Sequence, residues 1–525
     1  MRSSDFDLFI IGGGVNGCGI ARDAAGRGLS VCLAERNDLA SATSSASTKL
    51  FHGGLRYLEY FEFRLVRDAL IERETLLRAM PHIAWPMRFV LPYHPDMRFD
   101  SETPTSRLLT RILPGMKGRR PAWLIRLGLF LYDSLGRRQI LPGTKRLDLA
   151  DSPEGQPLQD RFRLAFEYSD CWVEDSRLVV LNARDAAERG ARIMVRTEVT
   201  SARRMKDHWL IEMVDKDSGQ THSATADMLV NAAGPWAAET VTATIGQGAS
   251  ARLRHVRGSH IVVERLYDHD KCYFLQGSDG RIVFAIPYET DFTLIGTTDV
   301  DHADMGERPH CTDEERDYLL AFVNRYFDRQ LGAGDVVWTY SGVRPLYDDG
   351  AQTAAAATRD YVIEADTDGA LLINIFGGKI TTYRKLAEHA LDKIAAHRPD
   401  IAPGWTAGVA LPGGDFPVDG FDSQVEALRQ RYPFLDIGWA RRLARAYGTD
   451  AFTLLGDARN AGDLGRDFGA RLTQREVDWL VEKEWAREAD DILWRRSKLG
   501  LRFDAAMVAR LSDYMDRQTR RSAAE

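Results

Sequence analysis

Gly12, Gly14 and Gly17 constrain this chain more than any other feature. They stand in a G-x-G-x-x-G pattern directly after a β-branched and aromatic run, residues 7–11 (DLFII), which reads as a buried parallel strand. Residues 15–27 carry Ile20, Ala21, Ala24 and Ala25 at helical spacing, and Gly28 is placed to end that helix. Residues 30–34 (SVCLA) form a second strand that runs into Glu35. In such a unit the first glycine makes the tight turn, the second lets the backbone approach a pyrophosphate, and the third lets helix pack on strand. Gly13 and Asn16 complete the turn, where the N–H groups of the helix terminus face an anion. Glu35 falls 18 residues after Gly17, where a carboxylate can accept hydrogen bonds from both ribose hydroxyls. Strand, glycine turn, helix, strand and acid together predict a dinucleotide-binding α/β unit.

The fingerprint alone does not distinguish NAD from FAD. The next stretch, residues 41–60 (SATSSASTKLFHGGLRYLEY), is unlike an NAD site. Ser44, Ser45 and Ser47 offer hydroxyl and backbone donors to a second part of an extended cofactor, and His52-Gly53-Gly54 lets the main chain approach a flat ring. A third glycine turn, Gly377-Gly378-Lys379 with Thr381 close behind, follows a strand at 370–375 and opens a helix reaching about 397. Its helix N-terminus can face an anion, and a reduced flavin is one.

At about 150 residues per domain, the 525 residues suggest three or so domains. A net charge of −7 argues against a surface built to grip nucleic acid, and no uncharged apolar stretch is long enough to span a bilayer. The apolar run near the start follows Asp5 and Asp7 and is broken by glycines, so it reads as a strand and not as a targeting segment. Five scattered cysteines with no C-x-x-C spacing predict buried thiols in a reducing cytoplasm, with neither disulfides nor a metal site. The charge is uneven: residues 98–146 hold eleven Lys or Arg against three Asp or Glu, a net of +8. Within them the apolar run 123–132 (WLIRLGLFLY) suits either an interfacial element on anionic lipid or a core helix with solvated basic ends.

The motifs GGGVNGCGIARDAAGRGL, SSASTKLFHGGLRYLE, FEYSDCWVED, GSHIVV, IGTTD, TYSGVRPL, FGGKITTYRKLAEHAL and EADDILWRRSKLG together resemble the FAD-dependent, respiratory and quinone-reducing glycerol-3-phosphate dehydrogenases of the aerobic bacterial type. The resemblance covers about residues 5–515; residues from about 99 to 120 look like an insertion. It implies an α/β fold: an FAD-binding Rossmann-like domain of the glutathione-reductase/D-amino-acid-oxidase type, a β-rich substrate domain and a helical C-terminal domain. The expected division is 1–90, 150–260 and 350–400 for FAD, 91–149 and 261–349 for the substrate domain, and 405–525 for the helical part. FAD would be held by Gly12, Gly13, Gly14, Asn16, Gly17, Glu35, Ser44, Ser45 and Ser47. Val199 would lie at the adenine, Gly234 and Trp236 at a second strand-end turn, and Gly377, Gly378, Lys379 and Thr381 at the third.

The implied reaction oxidises sn-glycerol 3-phosphate to dihydroxyacetone phosphate by hydride transfer to FAD and passes electrons to ubiquinone or a similar quinone. It places a homodimer peripherally on the inner face of the cytoplasmic membrane, with no nucleic-acid partner. A phosphate dianion calls for cationic donors, and Arg56, Arg344 and Lys379 each lie in a glycine- or proline-punctuated motif. Tyr57 and His260 are further candidates for phosphate or hydroxyl contacts. His52 is the favoured proton acceptor, with Arg344 beside the developing alkoxide and Lys379 a further catalytic candidate. The alternatives are a glycerol-3-phosphate oxidase that uses oxygen, an amine or amino-acid oxidase of the same fold, and a non-catalytic FAD-binding module.

Overall fold

The structure is a computed structural model that describes residues 4–98, 103–112, 118, 120–136, 138–248, 253–348 and 360–524. Two large sheets organise it. The first contains β1 (Phe6–Ile11), β2 (Val31–Ala34), β7 (Arg192–Met194), β8 (Thr197–Arg204), β9 (Trp209–Asp215), β10 (Thr221–Asn231), β17 (Val362–Asp366) and β18 (Leu372–Phe376). Its order is β17-β18-β10-β1-β2-β7, with the β8–β9 hairpin joined to β10 through β9. The central strands are parallel, with Leu8 opposite both Val31 and Met228. Leu8, Phe9 and Ile10 are wholly buried, as expected of a strand covered on both faces. Helix α1 (Val15–Gly26) packs its Ile20, Ala21 and Ala24 into the same core.

The second sheet contains β3 (Leu50–Phe51), β4 (Ala84–Tyr93), β5 (Lys145–Asp148), β6 (Leu164–Val173), β11 (Leu253–Glu264), β12 (Cys272–Gln276), β13 (Ile282–Tyr288), β14 (Phe292–Gly296), β15 (Val300–Asp301) and β16 (Val336–Tyr347). Its order is β15-β11-β14-β13-β12-β4-β6-β3, with β16 on β11 and β5 on β6. Sheet membership thus divides the chain differently from the expected domains. β3, most of β4 and all of β6 belong to the second sheet although they fall inside 1–90 and 150–260. A strand-forming sequence reports a strand but not its neighbours. β4 also carries Pro86 and Pro92, which argue against an inner strand; both lie outside its short parallel pairing with β12 at Phe89 and Val90. Of the expected insertion at 99–120, residues 99–102, 113–117 and 119 lie outside the described residues, as do 350–359 of the expected FAD segment.

Helix α5 (Asp175–Glu188) connects β6 of the second sheet to β7 of the first, while α2 (Phe63–Ala79) and α4 (Ala122–Leu135) lie between strands of the second sheet; the short α3 (Pro104–Ile112) lies against the Leu55–Tyr60 turn. From residue 405 onward the chain is helical, with its own core around Leu428, Leu443, Leu455 and Leu480.

Candidate active site

At the first glycine turn, Gly12 has φ +109° and a Cβ there would meet Ala232 O at 2.6 Å. A Cβ on Gly17 would lie 2.0 Å from Gly12 O, so neither position admits a side chain. Glu35 is partly buried and accepts from Gly13 N at 2.7 Å and Asn37 N at 2.8 Å. Desolvation raises its carboxyl above the ordinary value despite these donors. Asn16 donates to Gly377 O at 3.2 Å, joining α1 to the third turn, while its buried Oδ1 has no partner among the described residues. Gly377 and Gly378 adopt φ of +73° and +101° there.

The hydroxyl-rich loop lies between these turns. Ser44 Oγ accepts from Val15 N at 3.0 Å and so caps α1, and Thr43 donates to Val343 O at 2.6 Å beside Arg344. Ser45 donates to Ala42 O within its own loop. Ser47 departs from the expectation of a cofactor donor. Its hydroxyl donates to Asp175 Oδ2 at 2.7 Å and accepts from Lys49 N at 2.9 Å, so this side chain holds the loop instead. Gly234 (φ +57°) opens the turn after β10, and the Trp236 ring lies 4.2 Å from the Arg36 guanidinium. Val199 sits at a bulge of β8, packed on the cluster that includes Phe9 and Leu229. Converging glycine turns, a helix N-terminus, an unpartnered amide oxygen and a partly buried acid fit an extended dinucleotide cofactor.

The candidate substrate residues gather beside the third turn. His52 N donates to Thr381 Oγ1 at 3.3 Å, and its ring centroid lies 6.5 Å from that of Phe284. Gly54, in the left-handed region, would clash with the Tyr57 ring if it bore a Cβ. Lys379 Nζ lies 4.0 Å from the centre of that ring, which brings the third turn against the 3-10 turn Leu55–Tyr60 carrying Arg56. Arg344, on β16, donates to Thr297 Oγ1 at 2.9 Å, to Thr298 O at 3.3 Å and to Asp299. The IGTTD motif therefore aims Arg344, and Asp299 is its orienting carboxylate.

His260 is 1 % exposed, bonds Thr48 Oγ1 through Nε2 at 3.0 Å and stacks on Tyr340 with centroids 4.7 Å apart. Burial first, then Arg344 and Lys49, hold its pKa well below 6.5. The ring is neutral, so it can bond a hydroxyl but brings no charge to a phosphate. In the sheet register Gly296 stands opposite both His260 and Phe284, placing the His260, Arg344 and His52 neighbourhoods side by side.

A buried triad beneath this turn gave no signal in the sequence beyond Asp170 lying in a motif. Gly53 N donates to Tyr132 Oη at 2.7 Å, Tyr132 Oη donates to Asp170 at 2.8 Å, and Arg73 pairs with Asp170. Tyr132 belongs to α4, whose outer face is apolar and exposed: Trp123 at 54 %, Leu127 at 47 % and Phe130 at 64 %. No described helix is long and apolar enough to cross a membrane.

Residues 7–384 match the FAD dependent oxidoreductase family profile, and residues 405–525 match the C-terminal domain of alpha-glycerophosphate oxidase. The chain is 48 % identical over 511 residues to the D-erythritol 1-phosphate dehydrogenase of Brucella abortus, covering 97 % of each chain. It is 47 % identical over 511 residues to the aerobic glycerol-3-phosphate dehydrogenase of Escherichia coli, again covering 97 % of each. Among solved structures it is similar to the glycerol-3-phosphate dehydrogenase of Bacillus halodurans complexed with FAD. That match has a TM-score of 0.72 and 26 % identity, and covers 99 % of this chain and 91 % of the other.

Proposed function

Because the chain belongs to the FAD-dependent oxidoreductase family and uses FAD, we propose that it oxidises sn-glycerol 3-phosphate to dihydroxyacetone phosphate. What supports the reading is that Lys379 lies 4.0 Å from the Tyr57 ring on the turn that carries Arg56, that His52 N bonds Thr381 of the same glycine-rich segment, and that Arg344 neighbours the buried His260. Arginine forks and a lysine suit a phosphate dianion, for which an amino-acid oxidase has no use.

FAD, when bound, supplies the hydride acceptor. His52 takes the proton of the substrate hydroxyl, and Arg344, kept in line by Thr297 and Asp299, stabilises the developing alkoxide. Lys379 and Arg56, at the Tyr57 turn, hold the phosphate. Neutral His260 bonds a substrate hydroxyl.

The electrons pass to ubiquinone or a related quinone at the inner face of the cytoplasmic membrane, where the chain rests peripherally. This part of the proposal is supported by the exposed apolar face of α4, set within the basic stretch 98–146. A glycerol-3-phosphate oxidase differs only in the acceptor, and peroxide yield under air with and without quinone separates the two.

The relative acting on D-erythritol 1-phosphate is equally similar, so a longer polyol phosphate is the competing substrate. The deciding experiment adds each phosphate anaerobically to the flavin-loaded enzyme and follows bleaching of the flavin absorbance. Glycerol 3-phosphate should bleach it at the lower concentration; faster bleaching by D-erythritol 1-phosphate reassigns the substrate. No bleaching by either overturns the reading.

A further inference from the structure

The segment from Glu484 to Gly500, in the C-terminal helical domain, touches neither glycine turn, yet it reaches two loops of the cofactor site. At the first loop, Arg496 grips Asp38 as a fork, Nη1 to Oδ2 at 2.6 Å and Nη2 to Oδ1 at 2.6 Å, while its Nη2 also donates to Glu484 O at 2.6 Å. Arg495 adds a second ion pair to Asp38. Both partners of the fork are buried, with side chains 0 % and 2 % exposed. Asp38 lies three residues beyond Glu35. Between Asp38 and the glycine turn, Leu39 lies against Gly13, and Ala40 N donates to Gly13 O at 3.1 Å. Whatever fixes Asp38 therefore fixes the acid and the first glycine turn together.

At the second loop, Lys498 Nζ donates to Ser176 Oγ at 3.3 Å, next to Asp175. Asp175 holds the hydroxyl-rich loop from below, accepting from Lys49 Nζ at 2.7 Å and from Ser47 Oγ at 2.7 Å. Immediately before these two anchor points in the chain, Trp494 stacks on Trp338 of β16 with centroids 4.5 Å apart. β16 is also the strand that carries Arg344. One short stretch thus binds the acid loop, the hydroxyl loop and the substrate sheet.

We infer that residues 484–500 form a cofactor-retaining clasp, in which Arg496 and Asp38 are positioning residues that keep the adenosine end of the FAD site closed. A domain that only docked would need no buried charges at these loops. A buried arginine–carboxylate fork is costly to desolvate and is kept where its geometry serves a purpose. The clasp is independent of the substrate assignment, because it concerns only how long FAD stays bound.

The test dilutes the flavin-loaded enzyme and follows release of FAD by its rising fluorescence, alongside apparent affinity on adding FAD back. Arg496→Lys keeps the charge but cannot form the fork, and it should speed release by about tenfold or more, equivalent to about 1.4 kcal/mol. Asp38→Asn should act in the same direction and carries the test if the arginine variant does not fold. Asp450→Asn is the control, since Asp450 pairs with Arg184 at 2.9 Å across the same two domains without touching a cofactor loop. It should release FAD at the parental rate. Parental release from Arg496→Lys and Asp38→Asn, or equal loss from Asp450→Asn, would overturn the clasp and leave a simple domain contact.

Discussion

Replacing Tyr132 by Phe removes one oxygen from beneath the substrate turn and leaves its volume almost unchanged. That oxygen accepts the Gly53 N–H at 2.7 Å and donates to Asp170 at 2.8 Å. Both interactions are buried, and Asp170 would retain Arg73 and a long contact to Gly53 N at 3.4 Å. An orphaned buried group costs about 1–3 kcal/mol, so two cost at most about 2–6 kcal/mol, and the contacts that remain bring the local loss toward the lower end. The turn is light, two glycines between His52 and Leu55, so part of that loss should appear as displacement of His52 and Tyr57. A misplacement of about 1 Å at reacting groups costs roughly a hundredfold in rate. Stopped-flow flavin reduction by glycerol 3-phosphate reads this directly, with FAD content and urea midpoint measured in parallel. FAD content should stay parental, because the cofactor loops are held elsewhere. A variant that loses stability but reduces flavin within about twofold of the parent would refute the reasoning and reduce the triad to packing.

His52→Ala should lower kcat with FAD content unchanged; loss of the flavin instead would make the residue a structural one. Arg344→Ala should raise KM for glycerol 3-phosphate and lower kcat together, and a change in neither places it outside the site. Phe130→Glu puts a charge on the exposed face of α4, and co-sedimentation with anionic vesicles should drop while flavin reduction in solution stays parental; undiminished binding removes this face from the membrane reading. His82 and His260 are both buried and held well below 6.5, His82 by burial and then by Arg177, Arg445 and Arg184. Below that pH the unfolded chain takes up protons that the folded chain refuses, so stability falls with acid. The slope is about 1.4 kcal/mol per pH unit for each histidine. Urea midpoints between about pH 7 and 5 should show His82→Leu with the shallower slope, and an unchanged slope contradicts it.

The dinucleotide unit was legible because its glycines are dictated by backbone contact: the 2.0 Å that a Cβ on Gly17 would have to Gly12 O is a local fact that sequence spacing encodes. The clustering of His52, Tyr57, Arg344 and Lys379 was legible only through motifs, since 292 positions separate His52 from Arg344 and no periodicity joins them. Partners across the fold were not legible. Nothing around Ser47 announces that Asp175 takes its hydroxyl, and nothing near Gly53 points to Tyr132 on a helix 79 residues away. Sheet membership was not legible for the same reason, because strand pairing is a tertiary choice. Nor was the burial of His260 legible, which together with Arg344 and Lys49 holds its pKa well below 6.5.

The fork between Asp38 and Arg496 joins residues 458 positions apart. Synthesis proceeds from the N-terminus, so the glycine turn and its acid leave the ribosome long before the arginine that closes over them exists. The nascent dinucleotide unit must wait, with Asp38 solvated and its loop unlatched, until nearly the whole chain has emerged. A truncated product can form β1, α1 and β2 and still lack the part that holds Asp38 in place. On the clasp reading, a chain cut before Arg496 keeps the glycine turn and Glu35 but exchanges FAD faster than one that carries the arginine.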